Sequence, residues 1–157
     1  MEVSVRRAND GDAEIVSALN HDVQAIHAAA LPRRFKPPVP DTFPASAVKS
    51  LLSKPENILL LAHVGSHAAG YTYAELVRRP ETAFRYADEM IYVHHISVSE
   101  AFRKRGVGRA LLNAVRKVGA ELNIATLALD VWTFNEEAYN FFRRCGFTPH
   151  NQRLWTQ

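Results

Sequence analysis

Basic side chains and glycines stand close together in the segment "RKRGVGR", residues 103–109. Glycine has no Cβ, so backbone amides beside it can approach a ligand closely. The apolar spacing after this segment predicts a helix, and free amides at a helix N-terminus attract anions. Arginine side chains add charge-assisted hydrogen bonds to phosphate oxygens. The pattern predicts a pyrophosphate site made by Arg103, Lys104, Arg105, Gly106, Val107, Gly108 and Arg109.

Two other phosphate-binding motifs do not fit this stretch. The Gly-x-x-x-x-Gly-Lys-Ser/Thr motif of nucleotide hydrolases is absent from the sequence. The dinucleotide motif Gly-x-Gly-x-x-Gly matches at Gly106 and Gly108, but its third glycine is replaced by Leu111. The sequence therefore disfavours both P-loop nucleotide hydrolysis and Rossmann-type dinucleotide binding.

The run before the basic segment, residues 90–98, is rich in β-branched and aromatic residues and carries two adjacent histidines. It predicts a strand. Because side chains alternate between the two faces of a strand, His94 should share a face with Ile96, and His95 should share the other face with Ser97. We therefore expect only one histidine to face a site.

The other candidates for covalent or metal chemistry have simpler interpretations. Cys145 is the single cysteine and falls on the apolar side of a predicted helix, which favours core packing. His94 and His95 should point in opposite directions, and His21 and His27 are six residues apart on a helix. No metal site is predicted.

Composition limits the partners. The net charge is +3, and Phe102 is the one aromatic residue beside the basic segment, so nucleic acid is not an expected partner. No apolar run is long enough to span a membrane, and no secretory signal is recognised. We expect a cytoplasmic protein with one domain over residues 1–157.

The wider pattern alternates strands with helices. Expected strands cover residues 3–8, the hairpin runs "ILLLAHV" and "AAGYTYAEL", residues 90–98 and 126–132, and the tail "FTPHNQRLW". A first helix should bury Ile15, Leu19, Val23 and Ile26, and others should run over about 45–53, about 107–122 and after Asn135. Five prolines make residues 32–44 a long loop, either a linker or a binding edge. The fold class is α/β or α+β with a mixed sheet.

The chain resembles the GCN5-related N-acetyltransferase (GNAT) superfamily over essentially its whole length except residues 32–44, and two blocks carry the resemblance most specifically. Arg103, Gly106 and Gly108 match its Arg/Gln-x-x-Gly-x-Gly/Ala signature for acetyl-CoA. A second block, Asn-x-x-Ala-x-x-Phe-aromatic followed by Gly-Phe, is matched by Asn135, Ala138, Phe141, Phe142, Gly146 and Phe147. The resemblance implies a mostly antiparallel mixed sheet of six to seven strands with about four helices, splayed between strands 4 and 5. Acetyl-CoA would lie in the gap.

The resemblance also implies residue roles. The pyrophosphate would bind residues 103–109, and the backbone of Ile96, Ser97 and Val98 would pair with the pantetheine arm. Asn135 and Phe142 belong to the second cofactor block. Some small-amine acetyltransferases of the superfamily carry a histidine at the position of His94, which makes it the expected general base. Glu75, on the preceding strand, is the second candidate.

The acceptor and the acid step stay open. Direct attack of a primary amine, on a small molecule or a peptide, is the expected mechanism, since the enzyme mainly places amine and thioester together. A tyrosine often protonates the thiolate in this family, but Phe142 stands at that position. The residues therefore leave a second function class, a silent acetyl-CoA sensor or partner module. A homodimer is compatible with the resemblance.

Overall fold

Five strands form one sheet in the computed structural model, which describes residues 2–157. The strands are β1 Val3–Arg7, β2 Asn57–Val64, β3 His67–Arg79, β4 Asp88–Val98 and β5 Leu127–Leu129. The helices are α1 Ala13–Ala30, α2 Ala45–Leu52, α3 Val107–Glu121 and α4 Glu136–Arg144. Short 3₁₀ turns cover Asp10–Asp12 and Glu100–Phe102. The mixed α/β class and the four helices are confirmed.

The strands lie in the order β1-β2-β3-β4-β5, antiparallel as far as β4, with β5 parallel to β4. Helices cover both faces. α1 and α2 pack on one face around Val16, Val48 and Leu61, and α3 packs on the other around Leu111 and Val115. β2 is therefore buried on both sides, which explains its unbroken apolar sequence.

The prediction of six to seven strands is wrong, because the described sheet ends at β5. The predicted strand in the tail is absent, and residues 147–157 have no regular secondary structure. β5 offers only three residues for pairing, and Pro149 lacks the N–H that a ladder needs. The polar tail residues instead remain exposed.

A gap opens between β4 and β5 after a short ladder. The parallel pairing runs from Ile91 with Leu127 to Val93 with Leu129, where β5 ends. β4 continues to Val98 and pairs there with β3 alone among the described strands. One backbone edge of β4 therefore faces the gap along residues 94–98, as the predicted splay requires.

His94 is an extra residue in β4. Tyr73 of β3 lies opposite His95, whereas the next β3 residue, Ala74, lies opposite Val93. Such a bulge reverses the alternation of the residues that follow it. Val93 and Ile96 consequently both pack in the α3 layer, instead of on opposite faces.

The start of α1 is fixed by a buried carboxylate. Arg6 donates two hydrogen bonds to Asp12, at 2.7 and 2.8 Å, and the Asn9 amide donates a third at 2.8 Å. These contacts, the Arg6 hydrogen bond first, lower the pKa of Asp12 to about 2. Asn9 caps this turn, as its sequence position indicates. The contacts set the direction in which α1 crosses the sheet toward the site.

Candidate active site

α3 begins with a terminus that no side chain caps. Gly106 precedes the helix and has no side chain to cap it, so the first-turn amides of Val107, Gly108 and Arg109 are left without helical acceptors. Every basic side chain of residues 103–109 is exposed. Arg103 also donates its Nε–H to the Val98 carbonyl oxygen at 3.2 Å, which ties this segment to the end of β4.

Glycine stands at the two positions of this segment for different structural reasons. Gly106 has a φ of +83°, a conformation that favours glycine, and open space where a Cβ would stand. Gly108 has ordinary helical geometry, but its Cβ would come within 2.9 Å of the Phe141 ring on α4. Gly108 therefore also sets the close approach of α3 to α4, a requirement that the ligand argument alone does not predict.

The three residues at the end of β4 present backbone, not reactive side chains, to the gap. Ile96 and Val98 pack in the α3 layer. Ser97 is 3% exposed and donates its hydroxyl to the Leu19 carbonyl oxygen of α1 at 2.6 Å. Its side chain therefore anchors β4 to α1, and only its backbone is available at the gap.

The second sequence block lies at the start and in the core of α4. Asn135 accepts a hydrogen bond from the Ala138 amide at 3.1 Å and so caps α4. Phe142 is 7% exposed and packs against Leu112 and Cys145. Cys145 is thus a core residue, and Phe142, at the position where the family often carries a tyrosine, is also part of the core.

The two candidate bases are bonded to each other. His94 Nε2 lies 2.8 Å from Glu75 Oε1, and each side chain is about one third exposed, 34% and 33%. The Tyr73 ring stacks on the imidazole, with centroids 4.7 Å apart and planes 15° apart. A carboxylate at Nε2 favours the tautomer with the proton there. Nδ1 of His94 then carries the lone pair of the neutral imidazole.

Tyr92 and Asp130 extend this polar cluster and were missed by sequence reasoning. The Tyr92 hydroxyl donates a hydrogen bond to Asp130, directly after β5, and its ring stands edge-on to His94 at 4.7 Å. Burial, followed by the Asp130 contact, raises the pKa of Tyr92 above its usual range, so this phenol stays protonated. In the sequence, the one feature that could have pointed to Asp130 was its position near the end of a predicted strand.

His95 lies on the same face as His94, so the prediction that only one histidine faces the site is wrong. The extra residue at His94 turns His95 toward α1 and away from the α3 layer. Its ring stands edge-on to Tyr73 at 5.3 Å and to Phe43 at 5.3 Å. Tyr71 contacts His95 Nδ1 at 3.0 Å, and Asn20 contacts the Tyr71 hydroxyl at 2.9 Å.

Acid should weaken the fold through His95. Burial, then the charges of His94 and His27, lowers the pKa of His95 to about 4, whereas histidine ordinarily has a pKa of about 6.5. Below about pH 6.5 His95 binds a proton in the unfolded chain but stays neutral in the folded chain. The free energy of unfolding therefore falls as pH drops toward 4. We expect a loss of about 2–3 kcal/mol from this group.

Urea unfolding of the wild type and of His95→Asn at pH 7 and pH 4.5 measures this loss. The substitution keeps a hydrogen-bond acceptor for Tyr71 but removes the titrating group, so the variant should lose about 2 kcal/mol less on acidification. Other titrating groups are common to both proteins and cancel. Equal losses in the two proteins would contradict the assignment.

The proline-rich loop docks beside this cluster and is not a free linker. Ser17 donates its hydroxyl to the Phe43 carbonyl oxygen at 2.5 Å, and Gln24 donates to the Lys36 carbonyl oxygen at 2.7 Å. Phe35 contacts Trp132, beyond β5, at 5.4 Å. The loop therefore spans from α1 to the segment after β5, on the side of the sheet that carries both histidines.

Residues 2–157 contain no group of three or more His, Cys, Asp or Glu side chains that could hold a metal ion. Within the same residues, no helix combines the length and apolar character needed to cross a bilayer.

Comparison with known families gives a match over most of the chain. A family model described as the acetyltransferase (GNAT) family matches residues 21–147. The chain is also 30% identical over 63 residues to an uncharacterized N-acetyltransferase in the pepI 3′ region of Lactobacillus delbrueckii subsp. lactis. That alignment spans 40% of this chain and 36% of the relative, so it covers about a third of the curated protein.

Solved structures share the fold at low sequence identity. A mutant of the BH1408 protein from Bacillus halodurans superposes with a TM-score of 0.92 at 22% identity, covering 98% of both chains. The aminoglycoside N-acetyltransferase AAC(6′)-Iy in complex with CoA gives 0.75 at 18% identity, covering 99% of this chain and 94% of that one. The same enzyme with a bisubstrate analogue gives 0.74 at 18%, covering 100% and 98%.

Proposed function

Because the chain belongs to the acetyltransferase (GNAT) family, we propose that it is an N-acetyltransferase that transfers the acetyl group of acetyl-CoA to a primary amine by direct attack in a ternary complex. The observation that carries this proposal is the bonded pair of His94 and Glu75, which lies beside the point where β4 and β5 separate. Residues 1–157 act in this proposal as one acetyl-CoA-binding domain.

The phosphate end of acetyl-CoA binds at the start of α3. The free amides of residues 107–109 and the exposed side chains of Arg103, Lys104, Arg105 and Arg109 offer donors and positive charge to the pyrophosphate. From there the pantetheine arm follows the unpaired edge of β4 along Ile96, Ser97 and Val98. Its thioester then reaches the level of His94, four residues before Val98, the Arg103-bonded end of the strand.

Glu75 and His94 prepare the amine. A primary ammonium has a pKa of about 10.4 in water, so it must lose a proton before it can attack. His94 Nδ1 accepts that proton, while Nε2–H donates to Glu75, which holds the ring and stabilises the imidazolium. The two residues thus take different parts, one as the base and the other as its orienting partner.

Transfer then proceeds through a tetrahedral intermediate. The amine lone pair attacks the thioester carbonyl carbon, a C–N bond forms, and a backbone amide on the open edge of β4 faces the developing oxyanion. The C–S bond breaks and CoA leaves as a thiolate, and the attacking nitrogen passes its extra proton to that thiolate. The products are the neutral amide, which keeps the acetyl group, and the CoA thiol, while the first proton leaves His94 for solvent. Because a thiol has an ordinary pKa of about 8.5, thiolate can depart without a positioned acid, which is consistent with the buried Phe142.

The acceptor is a small-molecule or peptide amine in this proposal. The AAC(6′)-Iy complexes support the small-molecule form, because that neighbour acts on aminoglycosides and shares this fold. The homodimer stays a prediction.

Calorimetry followed by a turnover assay tests the function. Purified protein is titrated with acetyl-CoA, and free thiol release is then measured with polyamines, aryl amines, aminoglycosides, amino acids and peptides. Saturable binding with acceptor-dependent release is the expected result. Binding without release from any acceptor would favour the silent sensor, and no binding would overturn both.

A further inference from the structure

We propose that His95 is a substrate-binding residue whose Nε2–H donates a hydrogen bond to an oxygen atom of the acceptor amine. The acceptor would therefore be an amine that carries a hydroxyl, carbonyl or carboxylate oxygen close to its nitrogen. This inference rests on the proposed function, because the oxygen is placed relative to the amine that His94 deprotonates.

The hydrogen-bond chain that ends at His95 fixes its tautomer. Asn20 donates from its amide nitrogen to the Tyr71 hydroxyl oxygen at 2.9 Å. The hydroxyl then has its one proton to give to His95 Nδ1, 3.0 Å away. Because Nδ1 accepts, the proton of a neutral imidazole must be on Nε2. Burial keeps both partners in these states, since it raises the pKa of Tyr71 and lowers that of His95.

The Nε2 donor of His95 has no protein partner among the described residues, whose hydrogen bonds reach His95 through Nδ1 and its carbonyl oxygen. Across residues 2–157 every fully buried side-chain nitrogen or oxygen is hydrogen-bonded. An unpaired Nε2 is therefore not fully buried and is accessible to solvent.

The surroundings of His95 favour a substrate oxygen over water. The rings of Phe43, Tyr71 and Tyr73 pack around the imidazole, which leaves few directions for approach. Tyr73 touches both histidines, so the donor lies beside the proposed base and on the same face. A neutral donor in such a site discriminates strongly between ligands that satisfy it and ligands that do not.

Two variants separate the donor from the network behind it. His95→Asn places an amide oxygen near the position of Nδ1, which keeps the acceptor for Tyr71 and removes the outer donor. His95→Gln places an amide nitrogen near the position of Nε2, which keeps the donor and removes the contact with Tyr71. The probes are ethanolamine, glycinamide and glycine, compared with propylamine, an amine of similar size without oxygen.

The ratio of kcat/KM for the best oxygen-bearing probe to that for propylamine measures the contact. We expect His95→Asn to lower this ratio about tenfold and His95→Gln to change it less than threefold. The best of the three probes identifies the oxygen as hydroxyl, carbonyl or carboxylate. An unchanged ratio in His95→Asn overturns the proposal. Equal loss for all amines overturns it as well, because the donor would then serve the acetyl oxygen.

Nitrogen NMR of the wild-type imidazoles gives a readout that does not depend on turnover. We expect His95 in the Nε2–H tautomer from pH 6 to pH 9, and a shift of its Nε2 signal with ethanolamine, but not with propylamine, in the presence of CoA. A proton on Nδ1, or no selective shift, overturns the inference while the proposed function stands. The selective shift without acetyl transfer supports the site and contradicts the proposed function.

Discussion

Replacing His94 by alanine should lower kcat at least a hundredfold and leave acetyl-CoA affinity within twofold of the wild type. The expected fall in kcat corresponds to the loss of a general base, which contributes a factor of about 10²–10⁴ to the rate. Affinity is preserved because the phosphate segment at α3 is on another element and His94 has no contact with it. The measurements are steady-state turnover with the best acceptor of the panel and calorimetry with acetyl-CoA.

Glu75→Gln and His67→Ala are the matched variants. The glutamine keeps a hydrogen bond to His94 Nε2 but removes the negative charge, so kcat should fall about tenfold, less than in His94→Ala. His67 is exposed at the first residue of β3, away from the pair, and its loss should not change kcat. A wild-type rate in His94→Ala would transfer the role of base to Glu75 or to water.

Gly108→Asp should weaken acetyl-CoA binding at least a hundredfold. A carboxylate at the second position of α3 competes with the pyrophosphate for the first-turn amides and repels its charge. The folded state tolerates the carboxylate electrostatically, because an acidic side chain is favourable at a helix N-terminus. Calorimetry gives the affinity, and urea unfolding gives the stability.

Gly108→Ala separates charge from packing. Both substitutions place a Cβ within 2.9 Å of the Phe141 ring, so both force that ring to move and should cost similar stability. Only the aspartate adds charge. We therefore expect the Gly108→Asp variant to bind acetyl-CoA at least tenfold more weakly than the Gly108→Ala variant. Equal affinities in the two variants would mean that α3–α4 packing, not the anion site, explains this glycine.

Local patterns predicted the starts of α3 and α4 well. The α3 terminus and the Asn135 cap depend on residues a few positions apart, and the structure places both where the motifs indicate. The first helix was predicted less well. Ile15 and Ile26 are 42% and 37% exposed, whereas Asn20 is buried because Tyr71, fifty-one residues away, accepts its hydrogen bond. Hydrophobic periodicity does not indicate such a polar contact.

The arrangement of Glu75, His94 and His95 could not be predicted in the same way, because it depends on how distant strands pair, and the sequence does not show that pairing. Glu75 and His94 were rival bases in the sequence, but the pairing of Glu75 with Tyr92 brings the carboxylate next to the imidazole. The bulge at His94 has no glycine or proline to mark it. The regular alternation of residues 90–98 therefore assigned His95 to the wrong face.

Because His94 is an extra residue, the alternation of side chains between the two faces of β4 shifts by one position at that point. Before it, Ile91 and Val93 supply the α3 layer, and after it Ile96 and Val98 supply the same layer. Losing this one position is consequently compatible with both layers. A deletion of His94 would place His95 directly after Val93 and restore regular alternation against β3, so Ile96 and Val98 would stay in the α3 layer and His95 and Ser97 would stay on the α1 side. The sheet therefore does not depend on the position that carries the proposed chemistry.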